Sequence, residues 1–464
     1  MALDAVIVCQ LDHFRLGDQR LNRRCQYLQT QLMQLDCAQS FPRLFNKNAL
    51  LKAFYRLVNN PKLTPAVMDQ AYQQGLIQWA NQQPANSPDK TLYSFQDTTV
   101  ARFHGRKLDL GYVQNADDNG LLLHHAILAD SDFVPLGIPI QQFIQRDRAS
   151  YGKRHTHKER PFEEKESYKW VGALEFARQF SQQTAYRIVQ VADAESDIAG
   201  WYNLALKYQQ PFVSRSGQNR QLADKSALLQ EWLDSQPVGG WLTRPIRDAK
   251  GKVHELRCQV KWGLVNLAGI DHPLTVIELK QVEPLPAHQP SVWRLLTNET
   301  VTQLAQAEQQ LNVYTHRWRT CEDYHKCLKS GCSVETRQFE SVEALSNSLR
   351  LLSLVAIRLL RLRDQSQGPI STSPMAWADD SEAQVATQLS SRYLSRYEQA
   401  DLVCQSVGWF WQLLARLGGH QGVRQSGPPG WQTIWKGYLH FQTLVDGYRM
   451  SKNEYLQTKP PTYG

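Results

Sequence analysis

Two aspartates stand where short apolar, β-rich segments give way to polar residues. Asp97 lies in SFQDTT and Asp193 lies in VQVADAESD. We expect each to project from the carboxyl end of a strand, where the sheets of α/β proteins usually bind ligands. Either aspartate alone has another explanation, because aspartate also favours turns and caps helices. A third acid is needed before the pair indicates chemistry.

That third acid is Glu322, in a segment predicted to be helical. His325, Lys326 and Lys329 follow it by three, four and seven residues. At about 100° per residue, all four are expected on one helix face. Two strand aspartates and a helix glutamate could hold two Mg²⁺ ions, with Mn²⁺ as the alternative, and such ions promote phosphodiester cleavage. The lysines suit phosphate better than sugar, which disfavours glycoside hydrolysis.

The surrounding pattern predicts an α/β core that positions these acids. A β-rich meander begins near residue 90, and the helix SYKWVGALEFARQFSQQ leads into the strand before Asp193. Residues 211–297 are mostly β and are expected to form an insertion in this core. Helices resume after it, and the Ser- and Pro-rich residues 365–385 predict a linker.

The first 75 residues are predicted to be helical and rich in arginine. Their apolar residues recur at helical spacing, and the arginines include Arg20, Arg24 and Arg56. One interpretation is a solvated helical face. The other is a DNA-binding module whose arginines contact phosphates.

Composition limits the class of protein without choosing a function. The 464 residues exceed one compact core, and 42% hydrophobic with 21% charged residues is typical of soluble globular proteins. A net charge of +8 and a pI near 9.0 are compatible with a polyanionic partner. We expect no membrane span and no signal peptide, and therefore a cytoplasmic protein.

The cysteine pattern predicts reduced thiols. Eight cysteines occur without a CxxC pair. Cys321, His325, Cys327 and Cys332 cluster in sequence, but their spacing matches no zinc pattern.

Around Glu322, the segment YTHRWRTCEDYHKCLKSG resembles the Y-R-E-K signature of the insertion-sequence-four family of bacterial cut-and-paste DDE transposases. Other segments resemble that family in the same order: LGDQRLNRR, AFYRLVNNP, QDTT, EKESYKW, DAESDI, FVSRS, WRLLTNETV, LLSLVAIRLLRLR, ARLGGH and GWQTIWKGY. The resemblance implies an RNase H-like (retroviral integrase-like) catalytic core with a β-rich insertion, at residues 76–365. It also implies a helical DNA-end-binding domain at 1–75 and a helical dimerisation domain at 366–464.

The same resemblance implies a function and its partners. Asp97, Asp193 and Glu322 match the metal-binding triad of the family. The expected partners are transposon-end inverted repeats, target DNA and a second copy of the chain, and the expected place of action is the bacterial nucleoid. Cleavage, hairpin formation and strand transfer need no covalent protein–DNA intermediate.

Five further residues match positions that handle DNA in the family. Tyr314, Arg317 and Lys329 complete the signature that contacts phosphates near the scissile bond. Trp293 matches a tryptophan that stacks on a flipped base, and Arg215 matches a DNA-contacting arginine. Trp293 and Tyr314 could instead be core aromatics.

One spacing departs from the family. Four residues separate Arg317 from Glu322, where the family has three. On a straight helix this places the two about 140° apart instead of about 40°. We predict that a π-bulge at Thr320 and Cys321 absorbs the extra residue. The alternatives are that Arg319 takes over, that the protein binds DNA ends without cutting, or that it is a plain metal-dependent nuclease.

Overall fold

The protein is a mixed α/β protein with one large mixed sheet and many helices. A computed structural model describes residues 4–45, 47–84, 89–105, 108–152, 160–247, 253–283, 291–367, 374–375, 378–422 and 427–452.

The chain divides into two compact units. The helical unit comprises residues 1–67, 324–339 and 343–464, and the sheet unit comprises residues 68–323 and 340–342. In the described part of the chain, no helix is both long and apolar enough to cross a membrane.

Among its described residues, the sheet unit contains nine strands in the order β3-β2-β1-β4-β5-β9-β8-β7-β6. In chain order they are β1 Thr91–Arg102, β2 Gly120–Ala129, β3 Pro135–Ile144, β4 Arg187–Ala192, β5 Phe212–Arg215, β6 Gly240–Arg247, β7 Val253–Val265, β8 Leu274–Gln281 and β9 Val292–Thr297. The predicted opening meander is confirmed as the antiparallel strands β1, β2 and β3.

The β-rich residues after position 211 extend this sheet. β5 pairs parallel with β4, with Val213 opposite Val191, and antiparallel with β9, with Val213 opposite Thr297. β8, β7 and β6 then continue outward from β9 in antiparallel pairs. The segment predicted as an insertion therefore shares backbone hydrogen bonds with the core strands.

The described α-helices are, in chain order, α1 Ala5–Leu11, α2 Gln19–Gln34, α3 Phe41–Leu44, α4 Asn48–Val58, α5 Pro65–Gln82, α6 Val171–Gln183, α7 Ala199–Lys207, α8 Leu229–Ser235, α9 Leu304–Lys326, α10 Val342–Gln367, α11 Asp380–Tyr393, α12 Arg396–Asp401, α13 Val407–Leu417 and α14 Trp431–Ser451. α5 crosses residue 75, where the sequence suggested a domain boundary. Residues 365–367 and 380–385 of the predicted linker are helical, and much of the stretch between them lies outside the described residues.

Within the helical unit, α10 carries hydrogen bonds to the N-terminal helices. The Gln29 side chain donates to the carbonyl of Leu351 at 2.7 Å, and the Asn347 side chain donates to the carbonyl of Val58 at 3.0 Å. The Arg358 guanidinium, which is buried, donates to the carbonyl of Met33. These bonds satisfy buried polar groups that would otherwise oppose packing.

α9 carries much of the predicted site, and it is regular over its length. It is followed by a π-helical turn at Cys327–Gly331, in which the backbone N–H of Cys332 donates to the carbonyl of Cys327 at 3.0 Å. The predicted π-bulge at Thr320 and Cys321 is therefore wrong. A π-turn does occur on this segment, but it follows Glu322 and leaves the spacing from Arg317 unchanged.

Candidate active site

Two neighbouring parallel strands position Asp97 and Asp193. The parallel pairing of β1 with β4 ends at Phe95 and Val191, and each aspartate comes two residues later. β4 ends at Ala192, so Asp193 follows a strand end as predicted. Asp97 does not, because β1 continues to Arg102 in antiparallel pairing with β2. The prediction of a strand end was wrong for Asp97, which instead lies two residues beyond the parallel pairing.

The backbone near each aspartate is locally fixed. One oxygen of Asp97 accepts from the N–H of Thr98 at 2.8 Å, and the Thr98 hydroxyl lies 3.0 Å from Nδ1 of His124. One oxygen of Asp193 accepts from the N–H of Glu195 at 2.8 Å and so caps a short 3₁₀ turn. Asp193 thus has the capping role that the sequence left open, with its second oxygen remaining for other contacts.

Arg317 extends from α9 to Asp97. Its Nη1 lies 3.4 Å from Oδ2 of Asp97 and donates to the carbonyl of Gln96 at 3.3 Å. The residue is only 5% exposed. Arg319, the alternative, is exposed. Between these two arginines, it is therefore Arg317 that lies beside Asp97, even without a π-bulge, because its long side chain spans the gap.

Burial dominates the electrostatics of the two aspartates. It raises the pKa of Asp97 to about 6; the Arg317 charge opposes this rise, and the charges of Asp193 and Glu322 add to it. Burial also raises the pKa of Asp193, again opposed by Arg317. At both carboxyl groups, burial therefore outweighs the opposing charge of Arg317.

The residue four positions after Arg317 is Cys321, not Glu322. Cys321 is buried, and its thiol pKa is raised by burial and by the charge of Asp97. Glu322, about 100° further around the helix, is half-buried. Its effect on the pKa of Asp97 ranks below that of Asp193. With four residues between them on this helix, Glu322 lies off the face that Arg317 occupies.

The carboxylates of this site are chemically suited to a hard divalent cation. Their arrangement suits such a cation less well. Carboxylate oxygens are the ligands that Mg²⁺ prefers, and the raised pKa of Asp97 marks charge that a cation would balance. Within the described ranges, however, no group of three His, Cys, Asp or Glu side chains is close enough to hold a metal ion. Asp97 and Asp193 supply carboxylates of the type that Mg²⁺ binds, and a site of three carboxylates would need Glu322 to approach them.

The predicted basic face of α9 is divided. His325 is buried, Lys326 is exposed, and Lys329 is half-buried in the π-turn, 4.0 Å from Glu335. The residues expected on one helix face therefore differ in their access to solvent, and His325 has the least.

Trp293 and Tyr314 contact each other. Their rings meet edge to face with centroids 5.8 Å apart, Tyr314 being buried and Trp293 half-buried. Trp293 retains exposed surface for stacking, whereas Tyr314 is largely a packing residue here. Arg215, the last residue of β5, is half-buried.

Sequence reasoning missed Asp197, which organises the loop after Arg215. Its buried carboxylate accepts from the N–H groups of Gly217 and Gln218 at 2.8 Å each and from Nε of Arg220 at 2.7 Å. A second aspartate in DAESD was the available signal, but its partners lie about twenty residues away in sequence.

The N-terminal arginines are arranged differently. Arg20 and Arg24 lie four residues apart on α2, and Arg56 lies on α4. All three side chains are exposed. The N-terminus of α2 is capped by Asp18, which accepts from the N–H of Arg20 at 2.7 Å.

The protein is therefore a mixed α/β protein in which two aspartates, Asp97 and Asp193, follow the parallel pairing of β1 and β4 by the same number of residues. Comparison with known families adds that residues 8–63 match the family of transposase DNA-binding domains. The match spans α2 to α4 and includes all three N-terminal arginines. It supports a transposase role, and with it a DNA-processing enzyme and DNA as a partner.

Proposed function

We propose that the protein is a DDE transposase of the insertion-sequence-four family that moves an insertion sequence by cut-and-paste transposition. The main support is the position of Asp97 and Asp193, each two residues beyond the last parallel pair of β1 and β4, with Arg317 beside Asp97. The same chain matches transposase DNA-binding domains at residues 8–63. The antiparallel meander joined to the parallel strands β4 and β5 supports an RNase H-like core.

Asp97, Asp193 and Glu322 would hold two Mg²⁺ ions, or Mn²⁺ in their place. Such ions supply an activated water or 3′-hydroxyl and stabilise the leaving oxygen. Arg317 offsets the buried carboxylate charge and presents donors beside the scissile phosphate. Lys326, Lys329 and Arg319 add positive charge along the same segment for the DNA backbone.

The proposed reaction runs by hydroxyl attack at phosphorus. Water cuts the 3′ end of the element, the new 3′-hydroxyl attacks the opposite strand to form a hairpin, and a second water opens it. The 3′-hydroxyls then join target DNA. Trp293 suits the hairpin stage, since a half-buried indole face can stack on an unpaired base.

The N-terminal match supports DNA as a partner. Arg20, Arg24 and Arg56 would contact phosphates of the terminal inverted repeats, and Arg215 would contact DNA near the site. We propose a homodimer through the C-terminal helices that pairs two ends, acting at the nucleoid.

A second function is favoured by one observation, namely that Cys321 occupies the position four residues after Arg317. If Glu322 cannot approach the aspartates, the protein would bind transposon ends without cutting them. This would make it a DNA-binding regulator.

A cleavage assay separates the two functions. Duplex DNA carrying the terminal inverted repeats is incubated with Mg²⁺ and the wild type, Glu322→Ala or Cys321→Ser. Cleavage by the wild type and Cys321→Ser, but not by Glu322→Ala, supports the transposase. Binding without cleavage in the wild type supports the regulator.

A further inference from the structure

The turn between β2 and β3 holds a bulky residue in an unusual backbone conformation. Phe133 has φ of 63°, a region that favours glycine and in which an aromatic residue is an outlier. Asp130 builds the turn, because its carboxylate accepts from the N–H groups of Asp132 at 3.0 Å and Val134 at 2.9 Å. A glycine or asparagine would suit this position better, so the side chain of Phe133 must account for its presence.

That side chain packs between β1 and α9. The Phe133 ring stacks on the imidazole of His316 with centroids 3.9 Å apart and planes 19° apart. The ring also packs against two aromatic residues of β1, with its centroid 5.0 Å from that of Tyr93 and 6.1 Å from that of Phe95. The ring therefore links the middle of α9 to the strand that carries Asp97.

His316 is itself fixed. Its Nδ1 lies 2.9 Å from the carbonyl of Asn312, one turn earlier, and must carry a proton to donate there. The next residue is Arg317, which reaches Gln96 and Asp97 on β1. A rotation of α9 that broke the stack would also withdraw Arg317, because adjacent residues turn together on a helix.

We propose that Phe133 is a positioning residue whose stack on His316 sets the rotation of α9 against β1, and thereby holds Arg317 against Asp97. The positioning stands on the contacts alone, and its effect on catalysis rests on the proposed function. The rival explanation is an ordinary core aromatic that contributes only to overall stability.

Alkylation of Cys321 tests the positioning without any activity. This thiol is buried on α9, and Cys258 on β7 is a buried reference in the same unit. Native protein is treated with N-ethylmaleimide, and both sites are followed by peptide mass spectrometry. We expect Phe133→Ala to accelerate labelling of Cys321 at least tenfold and of Cys258 less than twofold. Equal acceleration at both sites, or none at Cys321, would overturn the proposal.

Conservative and paired variants make the test specific to the stack. Phe133→Tyr and His316→Phe keep two stacked rings and should keep Cys321 as protected as in the wild type. His316→Ala should match Phe133→Ala, and the double variant should be no worse than either, because both remove one contact. Additive effects, or failure of both conservative variants to protect, would count against a shared stack.

A second experiment measures catalysis, using DNA that carries the terminal inverted repeats at saturating Mg²⁺. Phe133→Ala should lower the single-turnover cleavage rate about tenfold without changing the Kd for DNA, and the single variant His316→Phe should keep the wild-type rate. A weaker Kd with an unchanged rate would contradict positioning. If the wild type does not cleave at all, the proposed function fails, while the alkylation result still decides the role of Phe133.

Discussion

The acidic site and the N-terminal arginines hold charge in opposite ways. Arg317 is 5% exposed and Asp97 has a side chain 15% exposed, so each depends on the other. Arg20, Arg24 and Arg56 lie in solvent. Buried charges are costly unless paired, whereas exposed charges act nearly independently and are screened by salt. We therefore expect substitutions at the acidic site to have large, non-additive effects. Substitutions of the N-terminal arginines should have small, additive effects.

The largest effect should come from removing an aspartate. Asp97→Ala should slow cleavage of end DNA by about a thousandfold or more, because it deletes a proposed metal ligand and removes the carboxylate beside Arg317. Binding of the same DNA should persist. Single-turnover gels give the rate and gel shifts give the affinity. Asp271→Asn, an exposed aspartate of the same unit, is the control and should retain the wild-type rate. Comparable loss in the control would contradict a specific role.

The stability of the acidic site should change with pH in a defined direction. The folded pKa of Asp97 is about 6, above its ordinary value of 3.8, so the folded state binds the extra proton between these values. Lowering the pH from 7 to 4 should therefore stabilise the wild type relative to Asp97→Asn, by at most about 3 kcal/mol. Urea unfolding of both proteins at each pH measures this difference. A difference that stays constant, or moves the other way, would show that the carboxyl is not desolvated.

The two arginines near Glu322 should differ sharply. Arg317→Ala should slow cleavage about a hundredfold, since it removes a buried donor beside Asp97. Arg319→Ala should cost only a few-fold, because that side chain is exposed. Single-turnover rates of both variants make the comparison. The reverse ranking would mean that Arg319 has taken over the role.

The smallest single effects should come from the N-terminal arginines. Each of Arg20→Ala, Arg24→Ala and Arg56→Ala should weaken DNA binding roughly three- to tenfold and lower the slope of log Kd against log salt by about one. Gel shifts over a series of salt concentrations measure both quantities. Arg396→Ala removes an exposed arginine outside the matched residues and should change neither. An unchanged slope in the three variants would remove these arginines from the DNA contact.

The sequence anticipated local features better than distant ones. Apolar runs followed by polar residues predicted the strands before both aspartates. They did not reveal that β1 continues past Asp97, because that continuation depends on pairing with β2. The sequence showed that four residues separate Arg317 from Glu322. The π-turn nevertheless lies after Glu322, at Cys327–Gly331, where the helix ends. The stack of Phe133 on His316 joins residues far apart in sequence and could be seen only in the fold.

Strand joining is the activity that distinguishes a transposase. Binding is shared with a DNA-binding regulator, and cleavage is shared with a metal-dependent nuclease. Pre-cleaved inverted-repeat ends with free 3′-hydroxyls are incubated with Mg²⁺ and a supercoiled target plasmid, using the wild type, Asp193→Ala and Asp271→Asn. We expect joined products with the wild type and Asp271→Asn, and none with Asp193→Ala. Nicking of the plasmid by the wild type without any joined product would indicate a metal-dependent nuclease and would contradict a transposase.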